Sequence, residues 1–327
     1  MPILTMRQDF RAPGFGPAST RDVYDAAIEQ MRWADAHGFD FLVLSEHHGL
    51  DDGWMPAPLT MAALLLGTTR RVPVLVSAAI VPLHDPVRLA EQIAVIDNAY
   101  PGRLWTVFGA GYRADEFEMA GADHRSRGRT LEEYVRVMLD AWTGEPFEWR
   151  GRTIRVTPKP ASTPHPTVLI GGGVPAAGRR AARLGLPMLP MNADPAVVEA
   201  YHDEAREVGF DGGFVMVPEG PTFVHVCEDP ERAWADIGPY LLYETQTYAS
   251  FQTPGQHSTP RVDATDVDDL RRAPQLWVGT PDDILERAKE LPATAALNFH
   301  PLAGGLPPDL AWSSLELFAR DVLPRLR

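Results

Sequence analysis

Three titratable side chains in a row follow an apolar run near the start of the chain. The run is Phe41-Leu42-Val43-Leu44, and Glu46, His47 and His48 come almost directly after it. A buried strand that ends in such residues presents acid and base groups from a rigid position, so catalysis or substrate contact is one interpretation. The other is a hydrogen-bonded histidine in the wall of the fold. Neighbouring residues of a strand point to opposite faces and no HExxH pattern exists, so no metal site is predicted.

A glycine pair follows a second apolar run, Leu104–Phe108. Gly109 and Gly111 fit the loose dinucleotide pattern G-x-G-x-x-A, but the match comes late in the chain and acidic residues follow it. The pattern alone is therefore a weak indication of a dinucleotide. The simpler interpretation is a backbone kept bare so that a flat ligand can lie against it, with Tyr112 supplying a phenol.

A third apolar run ends in Gly171-Gly172-Gly173, and Pro175 then stands at a favoured first-turn position of a helix. Exposed amides at the N-terminus of a helix bind phosphate, and Arg179 or Arg180 would add positive charge. This is not a Walker loop, because no Gly-Lys-Ser/Thr follows. The alternative is a tight turn beside a solvated pair of arginines.

Runs typical of buried parallel strands alternate with helical patterns along nearly the whole chain. About eight such units in 327 residues predict a (β/α)8 TIM barrel as a single domain over residues 1–327, with a doubly wound sheet as the alternative. Two insertions are expected, a hairpin near 146–166 and a long polar loop near 241–272 that would form a lid, a substrate wall or an oligomer contact. The predicted strands are Ile3–Arg7, Phe41–Ser45, Val72–Ile80, Leu104–Gly109, Thr167–Ile170, Met188–Met191, Thr222–Val226 and Ala296–His300.

One predicted helix has clear start and stop patterns. Thr130 and Glu133 have the spacing of a capping box, and an apolar stripe runs from Leu131 to Trp142 before Gly144. The helix is therefore predicted to begin at Thr130 and to end just before Gly144.

Composition excludes several classes of protein. The formal charge of -14 repels nucleic acids and anionic membranes, and the single cysteine, Cys227, excludes an internal disulfide. Neither a signal peptide nor an apolar run long enough to span a bilayer is visible, so a cytoplasmic protein is expected. Hydrolase chemistry has no support, because the G-x-S-x-G pattern is absent.

Taken in order, these segments resemble the bacterial luciferase-like family of flavin-dependent monooxygenases and oxidoreductases. The resemblance covers essentially the whole chain, and several ordered matches are more specific than any single motif. The matching segments are Gly38-Phe39-Asp40-Phe41 with Ser45-Glu46-His47-His48, Val74 through Gln92, Pro101-Gly102-Arg103-Leu104 with Gly109-Ala110-Gly111-Tyr112, Val278 through Ile284, and Leu315 through Pro324.

The resemblance implies a TIM barrel that binds reduced FMN, or alternatively the deazaflavin coenzyme F-420, at the C-terminal ends of its strands. It implies a non-prolyl cis peptide at Ser77-Ala78 behind the cofactor ring, and a phosphate end at Gly172, Gly173 and the following helix. Gly111 and Tyr112 would flank the ring or the ribityl chain. The loop after Ile170 lacks the hydroxyls that some relatives place on the phosphate, so backbone amides and Arg179 would have to do more.

The leading hypothesis from the resemblance is a monooxygenase that uses reduced FMN and O2 to oxidise a small organic substrate, with His47 as acid or base. The alternatives are F-420-dependent hydride transfer and a non-catalytic flavin-binding protein. The expected partners are a separate flavin reductase and further copies of the same chain. The residues expected to line the substrate pocket or contact the substrate are Phe10, His48, Trp54, Tyr112, Met191, His225, Phe251 and His300. His225 and His300 are also second choices for the acid or base.

Overall fold

The computed structural model describes residues 1–251 and 261–327. Its centre is a curled sheet of seven parallel strands in the order β11-β1-β2-β3-β4-β7-β8. Most of its residues are apolar and buried on both faces, as parallel strands covered by helices must be. The strands of the described chain are β1 Ile3–Gln8, β2 Phe41–Leu44, β3 Val74–Ile80, β4 Leu104–Gly109, β5 Phe147–Trp149, β6 Arg152–Ile154, β7 Thr167–Gly172, β8 Met188–Pro190, β9 Phe223–Val226, β10 Leu276–Gly279 and β11 Ala296–Phe299.

Helices connect successive strands of the large sheet, so each strand end opens into a loop at the same edge. The helix between β1 and β2 ends before Gly38, whose φ of 69° suits the left-handed region that glycine enters easily. The helices are α1 Thr20–Ala36, α2 Pro58–Thr68, α3 Pro86–Ala99, α4 Ala114–Ala120, α5 Arg127–Trp142, α6 Pro175–Arg183, α7 Pro195–Val208, α8 Pro230–Phe251, α9 Val267–Arg271, α10 Pro281–Glu290, α11 Pro308–Leu317 and α12 Leu323–Leu326.

A loop segment extends the sheet beyond β8. The amide of Met188 donates to the carbonyl of Phe214, and the amide of Met216 donates back to Met188. Further along the same segment, the carbonyl of Glu219 accepts from the amide of Ala296 at the start of β11. The segment 214–219 therefore makes backbone hydrogen bonds to both edge strands of the seven-stranded sheet.

One of the late predicted strands lies outside the large sheet, whereas the last, predicted at Ala296–His300, is its edge strand β11. The strand predicted at Thr222–Val226 exists as β9, but its hydrogen-bonded neighbour is β10, which lies outside the large sheet. Strand β10 was not predicted from the sequence, in which its apolar run is only Leu276-Trp277-Val278.

Of the two predicted insertions, only the hairpin is confirmed. Strands β5 and β6 pair in antiparallel fashion about a turn at Arg150 and Gly151. The long loop predicted near 241–272 is wrong at 241–251, which continue α8, and at 267–271, which form α9, whereas 261–266 are irregular as predicted. Leu241, Thr245 and Tyr248 have helical spacing, lie on one face of α8 and are buried, so packing of that face holds this polar stretch in a helix. Residues 252–260 of that prediction lie outside the described residues.

The capping box predicted at Thr130 is also wrong. Helix α5 begins three residues earlier, at Arg127, and Thr130 lies in its first turn. Glu133 instead accepts hydrogen bonds from the Trp149 indole and from Arg150, both at 3.0 Å, and so fixes the hairpin against the helix. The end of the helix is as predicted, at Trp142.

Within residues 1–251 and 261–327, no helix has both the length and the apolar composition that crossing a bilayer requires.

Candidate active site

A cavity of about 1030 Å³ runs along the interior of the curled sheet, from strand starts such as Ile3 and Phe41 to the C-terminal strand ends. Its walls are largely apolar where the sheet interior forms them, and polar groups lie at the strand ends. This is the usual composition of a small-molecule site, in which a few polar groups fix orientation. Ten residues predicted from the sequence line it, namely His47, Ser77, Ala78, Gly109, Gly111, Tyr112, Gly171, Gly172, Gly173 and Met191.

His47 lies four residues after Val43 of β2 and is held from one side by a carboxylate. Its Nδ1 lies 3.1 Å from Oε1 of Glu116, and both side chains are buried. A histidine whose Nδ1–H donates to a carboxylate keeps Nε2 free of a proton and able to accept one. The arrangement therefore suits a general base whose tautomer Glu116 selects.

Charge and burial around His47 favour its neutral form. Burial lowers the pKa of His47, and the positive charges of Arg113 and Arg7 act in the same direction. The hydrogen bond and charge of Glu116 oppose them, but the net pKa stays below the usual 6.5. The ring is therefore mostly neutral at pH 7, which is the form that accepts a proton.

Aromatic side chains enclose the His47 ring. The centroids of Trp54, Tyr112 and Phe251 lie 4.4, 6.0 and 5.6 Å from that of His47. Burial raises the pKa of the Tyr112 phenol, so this group stays protonated and serves as a hydrogen-bond donor at neutral pH. The enclosure keeps bulk water away from the ring on these sides.

The neighbouring His48 is directed elsewhere. Its Nε2 donates to Oε1 of Glu46 at 2.9 Å, and Nε2 of His84 bonds the same oxygen at 2.7 Å. Oε2 of Glu46 accepts the amide of Ile80 at the end of β3 at 2.7 Å. Burial raises the pKa of Glu46, but these hydrogen bonds lower it by more, and the net pKa is about 2. The ionised carboxylate thus ties the ends of β2 and β3 together.

Bare backbone lines the cavity beside β3 and β4. The Ser77-Ala78 peptide is cis, as the resemblance implied. A Cβ on Gly109 would stand 3.0 Å from the Cβ of Ala78, and a Cβ on Gly111 would stand 2.7 Å from Ile80, so neither position has room for a side chain. Small residues on both strands therefore leave a flat surface on which a ring can lie.

The opposite end of the cavity is built from the three glycines, the start of α6 and two arginines. Gly172 has a φ of 144°, and a Cβ there would stand 2.5 Å from that of Ala177. Arg127 and Arg180 both line this end. Within the described chain the buried Nε of Arg180 has no hydrogen-bond partner, and its nearest carboxylate, that of Glu132, is 3.9 Å away.

Burial lowers the pKa of Arg180, and the charges of Arg183 and Arg127 add to the effect. A cation that is disfavoured by burial and by like charges is stabilised by an anion, and this end of the cavity therefore suits a phosphate group. Arg179, the first arginine of the predicted pair, is exposed and lines a surface groove with Glu199 and Asp203 instead. A helix rotates neighbouring residues by about 100°, so only one of the pair can point into the cavity.

Six other predicted residues do not line the cavity as the structure describes it. Trp54 and Phe251 pack on His47, and His48 bonds Glu46. Phe10 packs on Tyr24, with ring centroids 4.8 Å apart. His225 lies on β9, where burial lowers its pKa to about 4, and His300 lies behind α8 near Asp9.

Asp9, Glu244 and His300 offer ligand atoms within 4.8 Å of one another, all of them buried. Glu244 forms an ion pair with Arg11, and Oδ2 of Asp9 lies 3.3 Å from Nε2 of His300. The Arg11 guanidinium already supplies positive charge to these carboxylates, so the cluster serves first to hold α8 against the segment that follows β1.

The comparisons with known proteins agree with this geometry. A family model described as luciferase-like monooxygenase matches residues 6–297. The chain belongs to the luciferase-like monooxygenase family. Alignments with its first curated relatives span between 56% and 94% of their lengths.

Among family members, the FMNH2-dependent dimethylsulfone monooxygenase of Pseudomonas putida is 30% identical over 230 residues, 68% of this chain and 59% of that protein. The F-420-dependent glucose-6-phosphate dehydrogenase of Nakamurella multipartita is 27% identical over 337 residues, 97% of this chain and 94% of that protein. The crystal structure of the monooxygenase RslO1 from Streptomyces bottropensis superposes with a TM-score of 0.78 at 22% identity, covering 99% of this chain and all of that one, and so shares the fold.

Several cavity residues were not predicted from the sequence. Arg7, Arg127 and Tyr248 line the cavity and lie in segments without a motif. Glu116, which bonds His47 without lining the cavity, was considered only as one of the acidic residues that follow Gly111. Glu116 falls one helical turn after Arg113 and precedes an apolar residue, a pattern shared by many solvated helix starts. Only the folded chain distinguishes this buried carboxylate from an exposed one.

Proposed function

We propose that this chain is a monooxygenase that uses reduced FMN and O2 to oxidise a small organic substrate. The observation that carries the proposal is one cavity with a neutral His47 held by Glu116 at one end and glycines with Arg180 at the other. The FMNH2-dependent relative supports the choice of cofactor and reaction. The cavity residues and the family both support oxidation with reduced FMN and O2.

The proposal includes a complete (β/α)8 barrel. Segment 214–219 takes the place of a strand between β8 and β11, and its backbone hydrogen bonds to Met188 and Ala296 support this. Closure around eight positions would place the catalytic groups at the C-terminal mouth, where sites of such barrels lie. Residues 1–327 would then form one domain.

The cavity fits FMN on two observations from this chain. The Ser77-Ala78 peptide, Gly109 and Gly111 leave a surface without side chains for a flat ring. At the other end, the unpartnered Nε of Arg180 and the glycine amides suit a phosphate. Reduced FMN, when bound, supplies the electrons with which O2 is activated.

The residues of the chain would act on protons and on water. His47 would accept a proton at Nε2 from the substrate, or return it, while Glu116 keeps the other nitrogen protonated. Trp54, Tyr112 and Phe251 around the ring would exclude water, which prevents the activated oxygen from being lost without oxidising substrate.

F-420-dependent hydride transfer is the alternative, because an F-420-dependent relative aligns over 97% of the chain. The same cavity would hold the deazaflavin, and His47 would exchange a proton with the alcohol or carbonyl group of the substrate. In either case we propose a homo-oligomer in the cytoplasm, and for the monooxygenase a separate flavin reductase that supplies reduced FMN.

The deciding experiment is a pair of anaerobic titrations, with reduced FMN and with F-420, followed by admission of air in the presence of candidate substrates. Tight binding of reduced FMN with oxygen uptake coupled to product supports the monooxygenase. Selective binding of F-420 without oxygen uptake establishes hydride transfer instead. Cofactor binding without turnover above the free-flavin rate would indicate a flavin carrier, and binding of neither would refute the proposal.

The phosphate end is tested with a matched pair of variants. Arg180→Met should weaken FMN about 10- to 100-fold, the worth of one charge-assisted hydrogen bond, and leave riboflavin affinity unchanged. Arg179→Met is the control, because that side chain is exposed and lies outside the cavity. Equal losses in both variants, or an equal loss for riboflavin, would contradict the phosphate assignment.

A further inference from the structure

Two arginines of the cavity, Arg7 and Arg127, form no ion pair within the described residues, and Arg7 is the one that lies away from the glycine end. Arg7 lines the cavity from β1, and its Nη2 donates to the phenol oxygen of Tyr248 on α8. Within residues 1–251 and 261–327, no other side chain or carbonyl accepts from the guanidinium, and no carboxylate lies within 4.0 Å of it. A guanidinium carries five N–H donors, so most of them remain available.

The charges around Arg7 are already engaged with other groups. Glu244 and Asp9 act on it from a distance, but Glu244 pairs with Arg11 and Asp9 lies beside His300. The two carboxylates in the cavity wall are also engaged, since Glu46 accepts three hydrogen bonds and Glu219 accepts one from Thr294. Arg7 therefore lies at the edge of an apolar space without a carboxylate of the described residues in direct contact.

Arg7 stands at the substrate end of the cavity. In the sheet order, β2, β3 and β4 separate β1 from β7, which carries the glycines of the phosphate end. In the register of the sheet, Arg7 on β1 lies opposite Val43 on β2, the strand that leads to His47. The Tyr248 ring lies 5.3 Å from the Arg7 guanidinium carbon and 6.3 Å from the His47 ring, so Tyr248 is next to both groups.

We propose that Arg7, held by Tyr248, binds the carboxylate of the substrate, and that the substrates of this enzyme are small organic acids with an apolar body. A carboxylate accepts two parallel hydrogen bonds from one guanidinium, which fixes the acid in one orientation. The apolar body would then lie along Val43 and Leu75 of the cavity wall, and Tyr248 would keep the carboxylate end close to the base His47. The inference depends on the proposed function, because it assigns the substrate end of the same cavity.

The test is a binding experiment on the FMN-saturated protein, in which FMN already occupies the phosphate end. The probes are phenylacetate, 3-phenylpropanoate and 4-phenylbutanoate, each paired with its neutral amide of the same shape. Binding is followed through the absorbance of bound FMN and by calorimetry. At least one acid should bind about tenfold or more tightly than its amide, the least that a charge-assisted hydrogen bond contributes.

Arg7→Gln should abolish this preference, and Arg7→Lys should keep part of it, because the charge remains while the paired donors are lost. Arg32→Gln removes an exposed arginine of α1 and is the control that should retain the preference. The affinity for FMN should stay within threefold in all of them.

Three results would overturn the inference: no acid binding more tightly than its amide, a preference that survives Arg7→Gln, or a loss of FMN affinity in Arg7→Gln, which would assign Arg7 to the cofactor. If the unmodified protein binds neither FMN nor F-420, the result would instead refute the proposed function.

Discussion

Replacing Glu116 with glutamine tests whether this carboxylate sets the protonation state of His47. Oε1 of Glu116 lies 3.1 Å from His47 Nδ1, 3.0 Å from the amide of His48 and 3.1 Å from Arg113 Nη1. The side chain is 1% exposed, so water does not compete for these bonds. Glutamine keeps the shape and one acceptor oxygen but removes the negative charge.

The cost of the change follows from the three bonds. A hydrogen bond to a charged group contributes about 1.5–3 kcal/mol and a neutral one about 0.5–1.5 kcal/mol, so each of them loses about 1 kcal/mol. The free energy of unfolding should therefore fall by about 3 kcal/mol, which a domain with typical stability tolerates. Arg113 still pairs with Asp115, so its guanidinium does not become an unpaired buried charge.

The pKa of His47 gives the sharper measurement. Glu116 raises this pKa against burial and the positive charges nearby, so its loss as an anion should lower the pKa further. The neutral base form would then persist to lower pH, and the acid limb of the pH profile of kcat/KM should move to lower pH. NMR of protein labelled with 15N-histidine follows the ring directly and reports which nitrogen carries the proton, and His47→Asn assigns the signal.

Asp115→Asn is the matched control, because Asp115 is 64% exposed and pairs with Arg113 without bonding His47. That variant should leave the His47 titration almost unchanged. A His47 pKa that stays constant or rises in Glu116→Gln would refute the assignment of Glu116 as the positioning residue. Detection of the Nε2–H tautomer in the unmodified protein would refute it as well.

Two further predictions concern stability. Burial lowers the pKa of His225 to about 4, so below pH 6.5 the unfolded chain binds a proton that the folded chain does not bind. Between pH 8 and pH 5 this difference should lower the free energy of unfolding by about 2 kcal/mol. Urea titrations should find that part of the pH dependence missing in His225→Leu. Gly172→Ala should lower the free energy of unfolding by about 2–3 kcal/mol and weaken the binding of FMN, because φ is 144° and the new methyl group has no room. Gly14→Ala is the control and should change stability by less than about 0.5 kcal/mol, because a Cβ there meets nothing within 4 Å. Similar effects of the two substitutions would contradict this explanation.

Local patterns were sufficient for the strands of the large sheet and for the hairpin at Phe147–Ile154. Continuous apolar runs bounded by turn residues leave few alternatives to a buried strand, whatever lies next to them. The same reasoning failed at residues 241–251, where polar residues on the solvent face concealed a helix. That helix is held by contacts of its buried face with residues more than 200 positions away, such as Arg11 in the segment after β1.

The site shows the same division. His47, Ser77-Ala78, Gly109, Gly111 and the three glycines could be placed from the sequence, since each stands at the end of a predicted strand or shares a family pattern. The choice of Arg180 over Arg179 depended on the rotation of α6, which the sequence does not specify.

By itself, the sequence determined the family, the alternation of strands and helices, and the strand ends where chemistry would occur, because these depend on short-range patterns and on a resemblance spread along the chain. The tertiary structure alone decided that Glu116 reaches His47 across 69 positions, that His48 turns away to Glu46, and that Arg7 meets Tyr248 across 241 positions. Such pairs are set by how distant segments pack. The protonation state of a buried group depends on those neighbours, and they become neighbours only when the chain has folded.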